Sequence, residues 1–209
     1  MHLPVLYYFF LLSVVFAAFV GGFRYRNLPQ PLRILEWLVL MSVTEAIAKL
    51  FLISFGVHTL WISHFYTPAE FAFIIFMYSY WMKQRRDRTI LFVCLAAFMI
   101  FWIICKWTLE PLSIADDWTA SFSKVFQIIF SAYLLVQLVN DSDLEWTNNP
   151  VFWVATSIIL YAAGSLFMYA LYNKMLQESF VRLRFVMSLN WILMILSNLL
   201  FIKGFLCKE

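Results

Sequence analysis

Six side chains combine ionisable or amide chemistry with long apolar surroundings: Glu45, Lys49, His64, Glu70, Lys124 and Gln127. Glu45 and Lys49 stand four residues apart in one apolar run, with the acid on the N-terminal side. That is the better order for an ion pair on one helical face. Two roles are open to such a pair. It can neutralise itself and pin one helix to its neighbours, or it can line a polar pocket for a ligand, an ion or a proton. A charge at the middle of a membrane helix costs roughly 2.5–3.5 kcal/mol, which makes it a functional candidate by default. An apolar residue returns only about 0.3–0.6 kcal/mol. Pairing of the few charges is therefore expected.

Glu70 also has two readings. Thr67-Pro68-Ala69-Glu70 has the form of a capping box, with Thr67 at the N-cap, Pro68 in the first turn and Glu70 reaching back. A helix would then start at Pro68 and leave 57–66 irregular or separately kinked. Alternatively the helix begins near Thr59, Pro68 kinks it, and Glu70 lies near the depth of Glu45. Either way the backbone near Pro68 loses a hydrogen bond that protein or water must replace, which suits a cavity wall. Lys124 and Gln127 share a face two turns into their helix, and His64 falls in the same outer half. With Glu45 at the floor, the six predict an outward-facing ligand-binding pocket. A lone His among aromatics favours packing over metal binding. The motifs HExxH, GxSxG and the P-loop are absent, so no catalytic set, metal or cofactor is expected. The last apolar run has no central lysine for a retinal Schiff base.

The elements that must position these residues are membrane helices. The 209 residues are 64% hydrophobic and 13% charged, with mean hydropathy +0.82. Soluble domains are about 45–50% apolar and about 25% charged, so the bilayer must be the solvent. Seven apolar runs follow: 3–22, 32–55, 58–82, 89–107, 118–139, 150–172 and 183–206. Each is near the roughly 20 residues a spanning helix needs. The expected fold class is all-α, a polytopic membrane protein with one seven-helix bundle over 1–209. The first run lacks a basic leader, so a retained helix is expected and not a cleaved signal.

Local signals set the ends. Gly21-Gly22 closes the first run, and Pro31 suits the first turn of the second. Asp116 and Asp117 are placed to cap the fifth, and Asn149-Pro150 opens the sixth. The amphiphilic stretch 173–184 is expected near the interface. Ala162-Ala163-Gly164-Ser165 permits close helix contact, and Ser188, Asn190, Ser197 and Asn198 are expected to bond between helices.

Orientation follows from the basic residues counted by loop. Arg24, Arg26, Arg33, Lys83, Arg85, Arg86, Arg88, Lys203 and Lys208 fall on one side. Lys106, Lys174, Arg182 and Arg184 fall on the other. This puts the N-terminus outside and the C-terminus in the cytoplasm. The acidic link Asp141, Asp143 and Glu145 runs against the trend, but acids count for little in this rule. Trp61, Trp81, Trp107, Trp118, Trp146 and Tyr172 suit interfacial belts. Cys94, Cys105 and Cys207 lack CxxC spacing and read as buried or interfacial thiols. The net charge of +3 comes with no basic stripe interleaved with aromatics, which excludes nucleic acid as a partner.

Several segments carry a loose resemblance across most of the chain: Thr44-Glu45, Phe65-Tyr66-Thr67-Pro68-Ala69-Glu70-Phe71, Phe152-Trp153, Leu189-Asn190 and Lys203-Gly204-Phe205. In these the chain resembles small uncharacterised seven-helix integral membrane proteins of Bacteroidota. The resemblance implies a multi-pass protein of the bacterial cytoplasmic (inner) membrane, with some members working beside separate signalling kinases. It assigns no functional residue. The leading expectation is a sensor-like protein that binds a small or lipidic ligand in the outer pocket and engages a cytoplasmic signalling protein. A small-solute or proton-coupled transporter, with Glu45 and Glu70 as relays, is the alternative. An intramembrane lipid-modifying enzyme ranks third.

Overall fold

A computed structural model describes residues 4–113, 115–140, 146–178 and 180–207, and the side chains of 170–184 lie outside the described set. The helices are α1 (Val5–Arg24), α2 (Gln30–Ser54), α3 (Leu60–Trp81), α4 (Arg85–Thr108), α5 (Asp117–Val139), α6 (Pro150–Glu178) and α7 (Phe180–Leu206). Short 3-10 turns occupy Tyr25–Asn27 and Trp146–Asn148. Among the described residues, seven helices are long and apolar enough to cross a membrane. Their surfaces are apolar too: Phe23 is 85% exposed and Trp107 87%. Lipid is the solvent that such a surface requires.

The helix ends follow local chemistry. Pro29 is extended before α2, and Pro31 sits in its first turn. Asn149 Oδ1 accepts from Val151 N at 2.9 Å, capping α6. Gly56 closes α2 with φ of 71°, and Val57 N and Gly56 N donate to Leu52 O and Ile53 O. This is a Schellman cap, whose left-handed residue favours glycine. Two boundaries differ from expectation. The glycines at 21 and 22 do not end α1, which continues to Arg24; in a bilayer every backbone amide needs a partner, and helix supplies it. The stretch 173–178 continues α6, and α7 begins at Phe180. Of the two readings of α3, the one that begins near Thr59 holds: the helix starts at Leu60 and runs through Pro68, so Thr67 is no N-cap. The acidic link 141–145, residues 208–209 and the side chains of Lys174, Arg182, Arg184 and Tyr172 lie outside the described residues.

The chain divides into two compact units, one of residues 1–28 and 124–209 and one of 29–123. In the first, α7 packs against both α6 and α1. Ser157 Oγ donates to Ser197 O at 2.7 Å and Ser197 Oγ to Ser157 O at 3.2 Å, a reciprocal pair between α6 and α7. Asn198 Nδ2 donates to Ser13 Oγ of α1 at 2.9 Å. Arg24 Nη1 donates to Phe205 O at 2.7 Å, serving a carbonyl at the end of α7. These are the expected bonds between helices, realised at Ser197 and Asn198. In the second unit, α3 packs between α2 and α4. Ser42 Oγ and Tyr66 Oη share a 2.7 Å bond across α2 and α3, and Phe71 meets Phe98 of α4 with centroids 4.6 Å apart.

Gly204 marks a close approach in the α6–α7 seam, because a Cβ there would lie 2.9 Å from Val154 Cγ2. Gly204→Leu should push the helices apart and cost about 1–3 kcal/mol, the usual range for overpacking. A drop in thermal midpoint in detergent checks it, and an unchanged midpoint would mean that the seam is loose.

Candidate functional site

The site residues begin with a backbone problem. Pro68 has no amide hydrogen, so the carbonyl one turn back, on His64, loses its helical donor. The indole of Trp102 on α4 fills the gap: Nε1 donates to His64 O at 2.9 Å. Thr67 Oγ1 contacts Ser63 O at 3.1 Å and donates to Asp116 Oδ2 at 2.6 Å. The irregular backbone at Pro68 is therefore satisfied by α4 at His64 O. The capping-box reading is corrected for the same reason, since the helix began two turns earlier.

Glu45 and Lys49 form the expected ion pair along α2. Lys49 Nζ also donates to Ser63 Oγ of α3 at 2.8 Å. Both side chains keep part of their surface open, 19% for Glu45 and 27% for Lys49. The arrangement neutralises two charges and ties α2 to α3. His64 and Glu70 follow along α3, and both are buried. These four belong to the second unit, and Lys124 and Gln127 belong to the first.

Lys124 is one of the largest fully buried side chains, at 1% exposure. Seven residues into α5 it stands about 10 Å along the helix, at roughly 1.5 Å per residue. Its ammonium lies 4.2 Å from the ring centre of Tyr161 on α6 and 3.5 Å from Gln127 Oε1. An aromatic face and an amide oxygen both favour the charged amine in a desolvated place. Such a seat can also orient an ammonium towards an incoming anion.

Sequence reasoning missed a second polar cluster. Glu110 follows the end of α4 and is 1% exposed. Its carboxylate accepts from Lys106 Nζ at 3.0 Å and from Thr119 Oγ1 at 2.8 Å. It also takes the Trp118 amide at the start of α5. An acid from the preceding loop thus adds its negative charge at this helix N-terminus to that of Asp117, which lies in the first turn as expected. Asp116, expected as the side-chain cap, gives its carboxylate to Thr67 instead. The spacing of Lys106 and Glu110 was the available signal. Glu36 of α2 is 0% exposed, and neither carboxyl oxygen has a hydrogen-bond partner among the described residues.

Among the described residues no group of three or more His, Cys, Asp or Glu is placed to hold a metal ion. Cys94, Cys105 and Cys207 are free thiols. Burial pushes the Cys207 thiol up, against the pull of Lys203 and then Arg24. It is therefore a poor nucleophile at neutral pH.

Seven apolar helices, lipid-facing side chains and buried, internally bonded charges define a multi-pass α-helical integral membrane protein. No protein-family model, curated protein or solved structure matches the chain.

The Trp102–Pro68 relation is open to a double-mutant cycle. Trp102→Phe orphans the His64 carbonyl and should cost about 1–3 kcal/mol. In a Pro68→Ala background, the restored amide at 68 takes over that carbonyl, and the same substitution should cost clearly less. Equal costs in both backgrounds, measured by denaturant titration in micelles, would separate the indole from the proline.

Proposed function

We propose that the protein is a sensor-like component of the bacterial inner membrane that binds a small anionic amphiphile at Lys124 and signals through a separate cytoplasmic protein. The observation that carries this is the buried Lys124 ammonium, held by Tyr161 and Gln127 inside a spanning helix. The aromatic face and the amide oxygen orient the ammonium, and an anionic head group adds a charge-assisted contact to it. Glu45 and Lys49 serve this reading as a brace between α2 and α3. In the proposed orientation the N-terminus is outside, and Lys83, Arg85, Arg86 and Arg88 face the cytoplasm between α3 and α4. That basic segment offers an acidic partner a docking face.

The test uses the full chain in phosphatidylcholine nanodiscs and dodecanoate as the probe. Lys124→Met should weaken binding about tenfold or more, the range for a charge-assisted contact, while Lys49→Met leaves it nearly unchanged. Equal affinity for wild type and Lys124→Met, or no binding to either, overturns the reading.

A proton-coupled transporter is the second reading, favoured by the buried carboxyl groups of Glu36 on α2 and Glu70 on α3. It expects pH-driven solute flux in proteoliposomes that Glu36→Gln or Glu70→Gln abolishes. Flux that survives both substitutions removes the relay.

A further inference from the structure

Helices α6 and α7 touch where Gly164 meets Leu193: a Cβ at 164 would lie 2.5 Å from Leu193 Cδ1. Beside that contact lies a cavity of about 220 Å³. Leu160, Ala163 and Phe167 of α6 and Leu189 and Leu193 of α7 line it, together with one polar side chain, Asn190. Asn190 is 5% exposed, and among the described residues its Oδ1 has no hydrogen-bond partner. Its Nδ2 reaches Met168 Sδ at 3.5 Å and Met194 Sδ at 3.8 Å. Thioethers are weak acceptors. Reversing the amide would set its oxygen against two sulfurs and orphan the nitrogen. Asn190 was expected to bond between helices, and its acceptor does not.

Depth decides what could satisfy that oxygen. Asn190 lies five residues inside the span Phe185–Leu206, about 8 Å from its end at roughly 1.5 Å per residue. Bulk water is scarce there, and an orphaned amide oxygen stays costly. Size narrows the occupant further. A cavity of about 150 Å³ takes benzene, while pockets for drug-sized ligands run from about 300 to 1,000 Å³. The 220 Å³ here suits one hydrocarbon chain segment. A partner helix, about 10 Å across with its side chains, does not fit. No charged side chain lines the cavity among the described residues, so an ionic head group gains nothing.

We propose that this groove binds an uncharged single-chain lipid alcohol. Its chain lies between Leu160 and Leu193, and its hydroxyl donates to Asn190 Oδ1. The weak thioether contacts give way as the amide turns its oxygen towards the groove. The site is separate from the anion reading at Lys124 and does not depend on it.

The experiment photolabels the full chain in phosphatidylcholine nanodiscs with a diazirine-bearing dodecanol and with the matched diazirine alkane. The alcohol should label 160–167 and 186–193 roughly five- to tenfold more strongly than the alkane, the preference one buried hydrogen bond supplies. Asn190→Leu should reduce the alcohol to the alkane's level. Ala163→Phe, which fills the groove and leaves Asn190 in place, should suppress both labels and guards against a folding defect in the first variant. Equal labelling of wild type by the two probes overturns the proposal. So does full alcohol labelling of Asn190→Leu, labelling confined to other helices, or a cross-link to a second copy at these residues.

Discussion

A bilayer offers no water to a buried donor or acceptor, so each polar group must find its partner within the protein. That constraint explains the placement of nearly every polar side chain described above. The His64 carbonyl released by Pro68 is met by an indole. The serines at 157 and 197 serve each other's carbonyls. The first amides of α5 are met by a glutamate from the preceding loop. Each solution also joins two segments, so satisfying polarity and packing helices are one act here.

The same constraint sorts the charges by role. Glu45 with Lys49, and Glu110 with Lys106, are local pairs within one helix or at its end, each tied to a neighbouring hydroxyl. Local pairs of this kind neutralise charge at little cost in specificity. Lys124 differs, because its ammonium is fully buried and faces an aromatic ring from another helix. The amide of Asn190 differs again, with its oxygen left unmet beside a greasy groove. A polar atom left unmet, as at Asn190, is a natural place to look for a ligand.

The seven spans were legible because hydropathy alone selects them, and the observed helices fall within a few residues of the apolar runs. The Asn149 cap and the Pro31 start were legible because both act within one turn of chain. The ion pair of Glu45 and Lys49 was legible for the same reason, as spacing of four residues places both on one face. The start of α3 was legible only as one of two readings, near Thr59 or at Pro68. Thr67-Pro68-Ala69-Glu70 satisfies the local grammar of a helix beginning, and nothing within one turn of chain shows that Trp102, 34 positions beyond Pro68, meets the carbonyl the proline releases.

Sequence by itself determined the solvent, the number and limits of the spans and the pairs that close within one helical turn, since each depends on neighbouring residues and on hydrophobicity summed over about 20 positions. Tertiary structure decided which carbonyl Trp102 serves, that Glu110 rather than Asp116 caps α5, that Lys124 meets Tyr161, and that Asn190 lacks a donor for its oxygen. Those outcomes depend on which helix faces come together. Hydropathy carries little of that information, because in lipid every apolar face is equally well solvated.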